Sequence, residues 1–251
     1  MLINQTLEKL KELKLFGMAE ELERQLPNPS ARNLSFEDRI GGLVDYETTY
    51  RSNKRLTALL RNAKLKHTSA CVEDIDYAQP RNLDKPLMLS LSNGDWVRQN
   101  INVIFAGPTG TGKSWLSCAL GNQVCRQGMS VYFVRLPLLL DDLFAARATG
   151  TFVKRLNQLA KYDLLIIDDW GLAPVPDQSQ GDLMELVDSR VGSRSTIITS
   201  QIPLELWHDY IGNKTIADAI LDRLVHSSQY VKLRGETMRG KTVKEKKSAQ
   251  K

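Results

Sequence analysis

Residues Gly107-Pro108-Thr109-Gly110-Thr111-Gly112-Lys113-Ser114 read G-x-x-x-x-G-K-S, the pattern of a phosphate-binding loop when a strand precedes it and a helix follows. Glycines at 107, 110 and 112 let the backbone curl until successive N–H groups point inward at phosphate oxygens. Lys113 is then the point charge for the β and γ phosphates, and Ser114 offers its hydroxyl to Mg²⁺. The helix beginning around Trp115 adds the positive end of its dipole. A glycine-rich turn that binds nothing is the alternative, and the apolar run Ile101–Ala106 before the loop argues against it.

A second constellation adds carboxylates. Leu164-Leu165-Ile166-Ile167 is wholly apolar and ends in Asp168-Asp169, as a buried central strand of a parallel sheet reads. Asp168 falls at the carboxyl edge of that sheet, where the phosphate loop also lies, in position to hold Mg²⁺ directly or through water. Asp169 is the candidate to orient or deprotonate an attacking water. The competing reading is that the two aspartates only cap the turn into Trp170-Gly171.

An α/β framework is needed to hold these groups, and the chain supplies it. Apolar runs at 101–106, 131–134, 164–168, 196–199 and 230–233 alternate with helical patterns at 115–126, 138–148, 152–160, 182–191 and 216–224. Five strands in that alternation predict a parallel sheet covered on both faces. Before it, the amphipathic stretch 2–26 predicts a helix interrupted at Gly17 and resumed at Met18–Leu22, and a long helix follows from Ser35 to about Leu65. The expected division is a small all-α N-terminal domain at 1–67, a linker and lead-in at 68–100, the nucleotide-binding core at 101–240 and a basic tail at 241–251, disordered in isolation.

The chain has 251 residues, 42% of them hydrophobic and 25% charged, an ordinary globular composition. It offers no apolar run of bilayer length and no charged leader followed by an apolar stretch, which points to a cytoplasmic protein. Its three cysteines, Cys71, Cys118 and Cys125, lack metal-ligand spacing, and the last two are expected on the buried face of the helix after the loop. The net charge of +5 is unevenly spread. Between Thr48 and Val72 stand Arg51, Lys54, Arg55, Arg61, Lys64 and Lys66 with no acid, and eight basic residues against two acids lie between Lys232 and Lys251. Basic segments on a nucleotide-binding chain suggest an anionic polymer, with Arg51, Lys54, Arg55, Arg61 and Lys64 as candidate phosphate-backbone contacts. A solvated helix face or a protein-docking surface is the alternative.

The phosphate loop, Ile166-Ile167-Asp168-Asp169-Trp170-Gly171-Leu172, Ser195-Thr196-Ile197-Ile198-Thr199-Ser200-Gln201 and Ala217-Asp218-Ala219-Ile220-Leu221-Asp222-Arg223-Leu224 together resemble the IstB-like transposition helper ATPases. That family belongs to the AAA+ superfamily, beside the DnaC-type helicase loaders. The resemblance runs over nearly the whole chain and includes Leu7-Glu8-Lys9-Leu10, Leu13-Lys14-Leu15, Gly17-Met18-Ala19 and Ala63-Lys64-Leu65.

It implies ATP as ligand with Mg²⁺, hydrolysis of ATP to ADP and phosphate, and a nucleotide-dependent homo-oligomer on DNA. It makes Ser200, or its neighbour Thr199 or Gln201, the first sensor of the γ phosphate. It makes Arg223 the arginine finger projected into the next subunit's site, and Arg239 a second sensor. Fewer than about twenty residues remain after Leu233, too few for the helical lid that carries such an arginine, so Arg239 also reads as part of a basic tail touching phosphate. The implied function is loose-specificity delivery of target DNA to the transposase of a mobile element. A helicase loader is the alternative, and a monomeric small-molecule phosphotransferase is a third reading that lacks an evident arginine-bearing lid.

Overall fold

The structure, a computed structural model, describes residues 3–226 and 228–238. The chain divides into two compact units between Ala58 and Leu59.

The first unit is helical: α1 (Ile3–Glu12), α2 (Phe16–Gln25), α3 (Pro29–Arg32) and most of α4 (Phe36–Ala63). The break in the N-terminal helix does not fall at Gly17. It falls between Glu12 and Phe16, where Lys14 takes a left-handed φ of 60°. Gly17 sits inside α2 and serves packing, because a Cβ there would stand 2.8 Å from Glu47 Cα on α4. The same Glu47 is buried and accepts the Met18 N–H at 3.0 Å. Its core is small, centred on Ala19, Ala31 and Leu43, while Phe36, Ile40 and Val44 on α4 stay exposed.

The second unit is the α/β body. Stretch 68–100, which reads as a linker, carries a 3-10 turn at Val72–Asp74 and two helices, α5 (Lys85–Ser92) and α6 (Asp95–Arg98). Pro86 is no breaker here. It lies in the first turn of α5, where its missing N–H costs nothing, and the Asp84 side chain caps that helix by accepting from Leu87 N.

Then follow β1 (Asn102–Ala106), α7 (Lys113–Arg126), β2 (Val131–Arg135), α8 (Leu136–Ala148), α9 (Phe152–Lys161), β3 (Leu164–Trp170), α10 (Asp177–Asp188), β4 (Ser195–Ser200), α11 (Trp207–Ile211), α12 (Lys214–Val225) and β5 (Ser228–Lys232). Among the described residues the strands form one parallel five-stranded sheet in the order β2-β3-β4-β1-β5. Since β4 lies between β1 and β3, the carboxyl ends of all three open on one edge, where ligands of such sheets bind.

Strand alternation assigns side chains to faces. Leu165, Ile167 and Ile198 join the core made with α8 to α12. Ile166 points the other way, onto α7, where Gly121 has no Cβ; a Cβ there would meet Ile166 Cδ1 at 2.8 Å. Cys118 and Cys125 are both buried in α7. Trp170, at the end of β3, stacks on Trp207 with ring centroids 4.7 Å apart.

At the opposite edge of the sheet Arg190 is 2% exposed and serves as an internal clamp. Its guanidinium donates to Leu159 O and Tyr162 O at 2.7 and 3.0 Å, to Ser195 O at 2.6 Å and to Thr196 Oγ1 at 3.2 Å. Burial, with Arg194 nearby, pushes its pKa down to about 9. Arg190→Met keeps the stem and strands these acceptors, and is expected to lower stability by about 3 kcal/mol, read as a lower denaturant midpoint. An unchanged midpoint would mean that water satisfies the carbonyls as well.

Candidate nucleotide site

The phosphate loop joins β1 to α7. Its conformation demands glycine: Gly110 and Gly112 have φ of 88° and 91°. Side chains at these points would also collide, with Thr237 Oγ1 at 2.1 Å and Arg81 Nη1 at 2.8 Å respectively. Lys113 is buried and its Nζ donates to Gly107 O at 2.6 Å and Pro108 O at 2.8 Å, so the ammonium sits across the mouth of the loop. A phosphate oxygen there is a stronger, charged acceptor than either carbonyl.

Asp168 shares the Ile166 face by alternation, and therefore points at the start of α7. Ser114 Oγ donates to Asp168 Oδ1 at 2.6 Å, the Thr199 hydroxyl donates to the same oxygen, and Lys66 Nζ donates to Oδ2 at 3.4 Å. Asp168 is wholly buried. A hydroxyl and a carboxylate converging beside a phosphate loop are the hard oxygen donors that suit Mg²⁺, so Ser114 and Asp168 fit the metal. In that place the metal would neutralise charge on the phosphates.

Asp169 breaks the alternation. It takes a left-handed φ of 63° at a register shift between Ile167 and Trp170. The bulge leaves its carboxylate on the cavity while carrying Trp170 into the α8–α12 core. Asp169 Oδ2 accepts from Arg135 Nε at 2.6 Å, and its N–H donates to Thr199 Oγ1 at 3.3 Å.

A cavity of about 470 Å³ joins these groups. Thr109, Gly110, Gly112, Lys113, Ser114, Trp115, Asp169, Thr199 and Gln201 line it, together with Lys66, Arg81 and Met238. Ser200 is not on this wall. It follows Ile198 onto the opposite face, where its hydroxyl donates to Ile202 O at 2.7 Å and accepts from Trp207 Nε1 at 3.1 Å. Of the three polar residues at the end of β4, Thr199 and Gln201 face the cavity, and Gln201 Oε1 accepts from Thr109 Oγ1 at 2.9 Å. The correction follows from strand alternation alone.

Arg223 lies in the last turn of α12. Its Nε donates to Asp188 Oδ1 at 2.7 Å and its Nη1 to Ala219 O at 3.1 Å, and it does not line the cavity. Arg239 and the tail 241–251 lie outside the described residues. Among the basic candidates, Arg51 pairs with Glu47 at 2.6 Å and Lys54 Nζ sits 5.3 Å from the Phe16 ring centre. Lys64 Nζ lies 5.6 Å from the Tyr132 ring centre, and Arg55 and Arg61 are exposed.

Two residues of the cavity wall, Arg81 and Lys66, carry no motif of their own in the chain. Arg81 is 4% exposed beneath the loop, donating to Thr111 O at 3.3 Å and Asp76 O at 2.8 Å. Burial lowers its pKa, against the opposing charge of Asp76. Lys66 was legible only as one basic residue in a run.

This fold and site define a P-loop nucleotide-binding protein of the AAA+ type. Residues 8–247 match the family described as IstB-like ATP binding protein, and the chain belongs to that family. It is 50% identical over 203 residues to an insertion sequence IS1162 protein of Pseudomonas fluorescens named as ATP-binding, covering 81% of this chain and 88% of that one. It is 45% identical over 239 residues to a similarly named insertion sequence protein of Sinorhizobium fredii, covering 95% and 97%. In fold it is similar to the crystal structure of the DnaC helicase loader, with a TM-score of 0.53 and 19% identity over 65% of this chain and 96% of that one. Among the described residues no helix is long and apolar enough to cross a membrane.

Proposed function

We propose that this chain is a Mg²⁺-dependent ATPase that oligomerises on target DNA and delivers it to the transposase of an insertion element. The observation that carries the reading is that Lys113, Ser114 and Asp169 line one cavity, with the buried Asp168 bonded to Ser114 behind its wall, in a chain whose relatives are named for insertion sequences and ATP binding.

Lys113 and the loop N–H groups bind the phosphates, Ser114 and Asp168 hold the metal, and Asp169 orients the water. Thr199, bonded to Asp168 and to the Asp169 N–H, is the best-placed polar group to sense the γ phosphate. Arg223 stands on an outer helix of its own subunit, and a neighbour's nucleotide is the charge it would meet. Such a finger contributes about 10³ to 10⁵ in rate where it operates. ATP would thus bridge subunits, and hydrolysis would loosen the assembly. Lys54, Arg55, Arg61 and Lys64 are the proposed contacts to the DNA backbone.

Light scattering of the protein with a short duplex, Mg²⁺ and a non-hydrolysable ATP analogue tests this reading. A large particle that requires both nucleotide and duplex is expected. A preference for single strands, or a 1:1 particle that grows only with a replicative helicase, would replace it with the loader reading.

A further inference from the structure

Asp168 is a fully buried carboxylate whose two oxygens are treated differently. Oδ1 takes the Ser114 and Thr199 hydroxyls, whereas Oδ2 takes the ammonium of Lys66 at 3.4 Å. Buried charges are paired or coordinate metals. Here one carboxylate is placed to do either, because the side chain opposite it is 40% exposed and can withdraw toward solvent, while Asp168 cannot.

The position of Lys66 is built by its neighbours. After α4 ends at the buried Ala63, Lys64 takes a left-handed φ of 52° and turns the chain. Leu65 then tucks in, 6% exposed, against Gly121 of α7; a Cβ on that glycine would stand 3.1 Å from Leu65 Cδ2. The backbone of Lys66 and His67 lies beside the buried Cys118 thiol, close enough to favour its thiolate against the burial that pushes its pKa up. Leu65 and Cys118 thereby fix Lys66 to the helix that carries Ser114. Lys64 points instead at the Tyr132 ring, and of the basic residues between Arg51 and Lys66 only Lys66 lines the cavity.

Resting on the reading of this cavity as a metal–nucleotide site, we infer that Lys66 is a built-in counter-cation for Asp168 that competes with the divalent metal. An ammonium and a dication cannot both sit against one small carboxylate without strong repulsion. Without metal, Lys66 neutralises Asp168. With metal on Asp168, the ammonium leaves that carboxylate and withdraws toward solvent, as its 40% exposure allows. Lys66 is therefore a positioning residue, and it sets how much nucleotide affinity the metal adds.

The test measures binding of a fluorescent ATP analogue to the full chain, once in EDTA and once in excess Mg²⁺. Lys66→Met is expected to weaken metal-free binding, since the stand-in cation is gone, and to hold or tighten binding with Mg²⁺, since the competitor is gone. The ratio of the two dissociation constants should rise about fivefold or more. Lys66→Arg should keep the wild-type ratio, and Lys66→Gln, a second neutral variant, should shift it in the same sense as Met. A purely structural role would weaken binding equally in both buffers and leave the ratio unchanged, which would overturn the inference while leaving the nucleotide site standing. Failure of the wild-type chain to bind in either buffer would instead overturn the nucleotide reading itself.

Discussion

Lys113→Ala is expected to lower ATP affinity roughly 100-fold or more, through the loss of charge-assisted bonds to two phosphates. Nucleotide-dependent assembly on DNA should disappear with it. The expectation is specific because Lys113 is held 2.6 and 2.8 Å from two loop carbonyls, so its ammonium already occupies the mouth of the loop. Removing it also deprives Gly107 O and Pro108 O of a donor, and the melting temperature must be recorded beside the titration. A folded variant that binds ATP with wild-type affinity would remove Lys113 from phosphate binding.

The second expectation separates binding from chemistry. Asp169→Asn should leave ATP affinity and assembly within about twofold, yet slow hydrolysis about 100-fold, the usual contribution of a positioned base. Arg135 sharpens this test, because its Nε holds Asp169 Oδ2 at 2.6 Å. A guanidinium on that oxygen withdraws its charge and makes it a weaker base toward a water. Arg135→Ala releases that oxygen, and is expected to raise the hydrolysis rate with ATP affinity unchanged. The readout is steady-state phosphate release at saturating ATP. Normal turnover by Asp169→Asn would show that another group activates the water.

Much of the framework was legible because its signals are local. The buried strands read as short apolar runs, and β1, β2 and β3 begin within one residue of where those runs begin. Errors arose where a local signal has two meanings. Gly17 reads as a breaker, but a glycine also lets two helices touch, and Glu47 Cα stands 2.8 Å from where its Cβ would be. Stretch 68–100 reads as a linker, although Pro86 sits in the first turn of α5, where proline suits a helix start. Helix α10 begins at Asp177, five residues before the expected start, because its first turn is polar and apolar periodicity begins only at Leu183.

The phosphate loop, the acidic end of β3 and the parallel sheet that carries them are written in the chain locally, since spacing, apolar runs and glycine chemistry act over a few neighbouring residues. Which side chains meet at the site follows instead from packing between distant elements. Strand alternation and the register of β4 beside β3 put Thr199, and not Ser200, against Asp168. A left-handed residue at a bulge turned Asp169 toward Arg135. Packing of Leu65 over Gly121 brought Lys66 to a carboxylate more than a hundred residues away in the chain. Each of these depends on which strands and helices lie side by side, and no local pattern of residue types encodes that order.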